Sequence, residues 1–170
     1  MKLGMLYRLK NFFTPEQLLS LYMGHIRPCM EYASHIWSGS SHVSLLDKVE
    51  KKAFRLINLP KLTNSIQPLY QRRDVGTLSL FYRYYNGQCS SEISDCVPKP
   101  LRRARNTRLA TQSHDYSVNL SNARVNRYSQ SFMYTAGELW NRLPSSIFPN
   151  SFDLKSFKSR VSGHLLSLGF

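Results

Sequence analysis

Residues 14–37 read TPEQLLSLYMGHIRPCMEYASHIW, and this stretch fixes the class of the fold. Thr14 followed by Gln17 forms a capping box: the hydroxyl serves the amide of the third helical residue, and the Gln side chain returns to the cap amide. Pro15 stands at the first helical position, where its missing N–H costs nothing. Leu18, Tyr22, Ile26, Cys29, Ala33 and Trp37 then recur in steps of four and three, the spacing of one buried helical face. Pro28 interrupts this run by removing the amide that would reach the carbonyl of Gly24. A kink or break is therefore predicted over Gly24–Pro28. Ser38-Gly39-Ser40-Ser41 ends the element.

Working outward, residues 2–12 carry Leu3, Leu6, Tyr7 and Leu9 near helical spacing without a preceding cap, as expected of a chain cut from something longer. Arg8 and Lys10 interrupt any apolar leader core, so a signal peptide is not expected. On the other side, residues 44–57 form an amphipathic helix with the apolar stripe Leu45, Leu46, Val49, Ala53, Leu56 and Ile57. Lys48, Lys51, Lys52 and Arg55 fall at i, i+3, i+4 and i+7, one basic face with only Asp47 and Glu50 as nearby acids. Such a face either meets phosphates or is simply solvated.

A further helical stretch is predicted over 66–86, broken near Asp74–Gly76 and stopped at Asn86-Gly87. Phe81, Tyr82, Tyr84 and Tyr85 within it would either stack on bases or fill a core. Val97-Pro98-Lys99-Pro100 reads as extended linker. From Lys99 to Arg127 there are seven basic residues and one acid, with Arg102, Arg103, Arg105 and Arg108 clustered. Arginine suits bidentate contact with phosphate. Short strands are expected near 107–111 and 124–131, paired as a β-hairpin. Helices follow over 132–142 and 153–168, the last capped by Asp153 and burying Leu154, Phe157, Val161 and Leu165. The fold class is thus mainly α: a helical bundle over 1–58, a helical connector over 59–97, and a small α+β region over 98–170.

Charge is the strongest compositional signal. Twenty-three Lys and Arg against ten Asp and Glu give +13. A polyanion is the natural partner, because neutralising phosphates releases counterions; an inert basic surface or an acidic membrane surface would also fit the balance. No apolar run approaches the roughly 20 residues of a membrane-spanning helix. Cys29, Cys89 and Cys96 are odd in number and widely spaced, which points to a reducing compartment, cytoplasmic or nuclear. Neither they nor the five His have zinc-ligand spacing, so no metal or other cofactor is expected. The ten acids are scattered without an Asp-Asp pair, and Ser113-His114-Asp115 are adjacent rather than assembled from distant segments. No catalytic residue is assigned.

Several strings resemble one family: Leu6-Tyr7-Arg8-Leu9 with Thr14-Pro15-Glu16-Gln17-Leu18-Leu19, Ile26-Arg27-Pro28-Cys29-Met30-Glu31-Tyr32 with His35-Ile36-Trp37, Leu45 to Glu50, Ala53 to Asn58, Leu80 to Tyr85, and Leu139-Trp140-Asn141-Arg142-Leu143-Pro144. Together, in this order, they are similar to the thumb and following tail of jockey-type non-LTR retrotransposon reverse transcriptases. The resemblance implies a thumb over residues 1–58 gripping a primer–template duplex beside a palm domain. The palm's paired aspartates, the fingers, the endonuclease and the zinc knuckle of some relatives are missing, so this chain alone is expected to be inactive as a polymerase. Its expected partners are an RNA or DNA duplex, or another polyanion, and the palm of the parent polymerase. A protein-interaction module co-opted by a host, or a functionless remnant, are the alternatives.

Overall fold

The computed structural model describes residues 2–101 and 114–168 and is mainly helical. It divides into two compact units, Met1–Arg73 and Asp74–Phe170. The sequence boundaries at 58 and 97 coincide instead with the ends of helices, after Ile57 and Cys96.

The first unit contains α1 (Lys2–Leu9), α2 (Pro15–Leu21), α3 (Arg27–Glu31), α4 (Ser34–Trp37), α5 (Val43–Ile57) and α6 (Pro60–Thr63). Thr14 caps α2 as its box predicts: its Oγ1 accepts from the Gln17 amide at 3.4 Å, and Gln17 Oε1 accepts from the Thr14 amide at 2.9 Å. The kink expected before Pro28 is a π-helical turn, Tyr22–Ile26, in which the Arg27 amide reaches back to the Tyr22 carbonyl. The wider turn holds an extra residue. The inward position after Ile26 consequently falls on Met30, and Cys29 is exposed rather than buried. The face does not run unbroken to Trp37 either. Tyr32 is extended and Ala33 left-handed (φ 49°), and Trp37 Nε1 donates to the Tyr32 carbonyl at 3.0 Å across this break. Leu6, Leu18, Tyr22, Ile26, Met30, Ala53, Ile57 and Leu69 form the core. Asn58 ends α5 in the left-handed conformation that Asn tolerates better than most residues.

The expected break near Asp74–Gly76 does not occur: α7 (Leu69–Tyr85) is one continuous helix. A helical Gly costs roughly 1 kcal/mol relative to Ala, and the burial of Val75, Thr77 and Leu78 around Gly76 outweighs that. The helix supplies Leu69 to the first core and Val75, Leu78, Phe81 and Tyr82 to the second. It stops as predicted at Gly87 (φ 70°), with Gln88 N–H to Arg83 O and Gly87 N–H to Tyr84 O, the paired bonds of a Schellman cap.

The second unit adds α8 (Ser91–Cys96), α9 (Asn126–Ser129), α10 (Phe132–Asn141), a 3-10 turn at Ser145–Ile147 and α11 (Leu154–Leu168). Trp140 is its centre, fully buried against Phe81, Tyr85, Phe148 and Phe157. Tyr82 stacks on Phe157 at 4.2 Å. Phe81 and Tyr82 are therefore core residues, and their burial rules out stacking on bases. Asp153 Oδ1 caps α11, accepting from the amides of Lys155 and Ser156 at 3.0 Å each.

The β-hairpin is not seen among the described residues. Residues 126–129 of the expected second strand form the helical turn α9, and 107–111 lie outside the described residues. The β pairing present is an isolated antiparallel bridge, Pro100 with Val118. Asn141 completes it: Oδ1 accepts from Val118 N–H and Nδ2 donates to Val118 O, both at 2.9 Å. A side-chain amide thus occupies the donor and acceptor that a neighbouring strand would otherwise satisfy.

Candidate nucleic-acid interface

On α5 the inner seam is Leu46, Glu50, Ala53 and Ile57, with Glu50 buried and Leu45 49 % exposed. The apolar stripe read from residue type is corrected at those two positions. A buried carboxylate is tolerated only when its charge is met, and Glu50 is met on both oxygens. Oε1 accepts from the Tyr22 hydroxyl at 3.0 Å and lies 4.0 Å from Arg27 Nη1. Oε2 accepts from the Leu69 amide at 3.1 Å. Leu69 opens α7, so Glu50 satisfies one of that helix's free N-terminal amides and sits at the positive end of its dipole. Burial, reinforced by the Glu50 charge, pushes the Tyr22 hydroxyl well above its ordinary range, so it stays protonated and keeps donating.

The other acids of this unit are also engaged. Asp47 Oδ1 pairs with the buried Arg73 guanidinium at 2.7 Å, and Arg73 lies over the Trp37 ring. Glu31 accepts from Arg27 Nε at 2.8 Å and from Arg72 Nε at 2.7 Å. Arg27 donates further to the Gln67 carbonyl. Burial pushes the Glu31 carboxyl upward, but the hydrogen bonds and charges of Arg72 and Arg27 outweigh it and hold it below its ordinary value.

Residues 1–73 contain eleven basic and four acidic side chains. Three of those acids, Glu31, Asp47 and Glu50, are paired with the buried Arg27 and Arg73 or with the exposed Arg72. The exposed surface is left with Arg8, Lys10, Lys48, Lys51, Lys52, Arg55 and Lys61 against Glu16. Lys2 is tied down separately, donating to the His25 carbonyl at 3.2 Å.

The structure brings Lys48, Lys51, Lys52 and Arg55 together on the outer side of α5, all exposed. None of the four forms an ion pair among the described residues. They make four like-charge contacts at i,i+3 and i,i+4, each unfavourable by about 0.2–0.5 kcal/mol, so roughly 1–2 kcal/mol of repulsion stands unrelieved. An anion laid along the face would remove it. Arg102, Arg103, Arg105 and Arg108 lie outside the described residues. Arg124 and Arg127, beyond them, are exposed.

His114, from the adjacent Ser-His-Asp run, is structurally employed. His114 is buried, and its Nε2 lies 2.9 Å from the Trp140 carbonyl. A carbonyl only accepts, so Nε2 carries the hydrogen and Nδ1 is bare, buried without a partner among the described residues. Burial drives the imidazole pKa below its ordinary value. Among the described residues no group of His, Cys, Asp and Glu is placed to hold a metal ion, and no helix is long and apolar enough to cross a membrane.

Sequence reading missed Arg27, Glu31 and Glu50 as a network, although two spacings carried the signal. Arg27 and Glu31 stand at i,i+4, and Glu50 lies four residues from Leu46 and three from Ala53. Lys10, which lines the same concavity as Arg55 at the end of α5, left no local signal. No family model, curated protein or solved structure matches this chain.

Proposed function

We propose that the chain is a nucleic-acid-binding C-terminal piece of a non-LTR retrotransposon RNA-directed DNA polymerase, without a catalytic centre of its own. Residues 1–58 act as a thumb-like bundle that grips the phosphates of a primer–template duplex. Lys48, Lys51, Lys52 and Arg55 make the contact, and Arg102, Arg103, Arg105 and Arg108 supply a second one. One observation carries this reading: on α5 both acids have internal partners, whereas all four cations face solvent. A merely solvated helix would keep its acids among its bases.

The test is equilibrium binding of a duplex across salt concentration. Four phosphates neutralised give a log–log slope near −3.6, a loss of roughly 100-fold between 50 and 200 mM salt. Affinity that is flat over this range contradicts the proposal.

A second reading, a protein-contact surface, is favoured by Tyr32 and Ile36, 80 % and 75 % exposed in the same unit. On the first reading the parent polymerase's palm domain is the natural occupant of such a surface. Replacing both by Ser separates the two: duplex affinity unchanged assigns them to protein contact, and affinity lost assigns them to the nucleic acid.

A further inference from the structure

A concavity of about 410 Å³ opens in the first unit between the α1–α2 turn and the C-terminal end of α5. The buried Leu18 and Ile57 lie beneath it, and its accessible lining is mostly polar. Its rim carries Lys10, Asn11, Phe13 and Arg55. The volume falls in the range of small-molecule sites, roughly 300–1,000 Å³. A duplex backbone is convex and cannot enter a hollow of this size, whereas one unpaired nucleotide can.

The chemistry of the rim matches such a guest. Lys10 and Arg55 offer two cations to a phosphate: neither forms an ion pair among the described residues, and Lys10 Nζ, 4.8 Å over the exposed Tyr7 ring, can exchange that contact for a phosphate. Phe13 is 39 % exposed and offers a ring to a base. The opposing effect is the C-terminus of α5, equivalent to about half a negative charge; two full cations outweigh it. Glu16, the acid nearest in sequence, does not line the hollow.

We propose that this hollow is a subsite for a single unpaired nucleotide at a duplex end, its phosphate between Lys10 and Arg55 and its base against Phe13. The proposal rests on the duplex-binding reading above and deepens it. Arg55 belongs both to the α5 face and to the hollow, so the two are contiguous and a duplex end bound on that face can reach the subsite.

The test measures affinity of the full chain for three hairpin duplexes labelled in the loop: blunt, with one unpaired 5′ nucleotide, and with one unpaired 3′ nucleotide. At least one overhang should bind about fivefold or more tightly than the blunt hairpin, the lower end of base–aromatic stacking. Lys10→Gln, and independently Phe13→Ala, should abolish that preference while shifting blunt affinity by no more than about threefold. The triple variant Lys48→Gln, Lys51→Gln, Lys52→Gln should weaken all three probes together and keep their ratio. Equal binding of blunt and overhanging hairpins, or a preference that both subsite variants retain, overturns the subsite and leaves the lysine face standing. Failure of the unmodified chain to bind any probe at low salt overturns both.

Discussion

The two units fill their interiors with different chemistry. Met1–Arg73 buries Arg27, Glu50 and Arg73 among its apolar side chains. Asp74–Phe170 packs aromatic rings around Trp140, and its buried polar side chains among the described residues, Thr77, His114 and Ser117, carry no full charge. The difference bears directly on function. Glu50 is drawn into the interior, and Asp47, half-buried, is paired with the buried Arg73, so the ion pairs of the first unit leave the four cations of α5 without a carboxylate partner on their own helix. The aromatic interior of the second unit has no such consequence.

The largest expected effect breaks the aromatic side of this contrast. Trp140→Ala removes the ring on which Phe81, Tyr85, Phe148 and Phe157 converge, and its Nε1 bond to the Tyr116 carbonyl. It should cost about 3–5 kcal/mol in urea unfolding, with amide exchange protection lost mainly in α10 and α11. Next is Glu50→Ala, which leaves the buried Tyr22 hydroxyl and the Leu69 amide without their acceptor in the other interior and takes from Arg27 one of its two carboxylate neighbours. Removing one partner of a buried pair costs about 3 kcal/mol or somewhat more, and protection should fall in α5 and the first turn of α7. Equal loss across both units in either variant would mean the two interiors are not distinct.

A smaller effect has the opposite sign. Replacing Lys48, Lys51, Lys52 and Arg55 by Gln relieves their mutual repulsion and should stabilise the chain by about 1 kcal/mol at low salt. Thermal melts check this; a destabilised variant would show that the four make structural contacts.

The gentlest perturbation uses pH alone. His114 has a folded pKa below its unfolded value near 6.5, so between the two values the unfolded chain holds more protons. Stability of the second unit should therefore fall as pH drops below about 6.5. Glu31 is also held below its ordinary value near 4.5, so its contribution to the first unit is present above that pH and is lost only on further acidification. With Trp37→Phe, the remaining Trp140 fluorescence reports the second unit, and its unfolding midpoint should move first. A midpoint constant from pH 7 to 5 contradicts the assigned imidazole environment.

What the sequence made legible was mostly local. The Thr14 box, the Asp153 cap, the Gly87 stop and the turn before Pro28 each depend on residues within a few positions. The four cations of α5 were readable because residue type and helical phase agreed. Glu50 was misread because they disagreed: its phase is inward and its type suggests solvent, and the partners that decide the matter, Tyr22 and Leu69, are 28 and 19 residues away. The continuity of α7 was hidden for the same reason, since the packing of Val75 and Leu78 overrides the local preference of Asp74–Gly76. Residues 124–131 looked like a strand by alternation, yet the bridge that forms uses Pro100 and Val118, with Asn141 at its side. Leu139 to Pro144 has a structural use: Trp140 and Leu143 fill the core and Asn141 holds the Val118 backbone.

The central claim is that inward acids leave an outward cationic face that meets phosphate. It is tested most directly by the salt dependence of duplex binding for the chain and its fourfold Gln variant at Lys48, Lys51, Lys52 and Arg55. The account predicts that the log–log slope becomes shallower by about 3–4, near 0.9 for each phosphate contact removed. An unchanged slope, with binding intact, would place the contact elsewhere and contradict it.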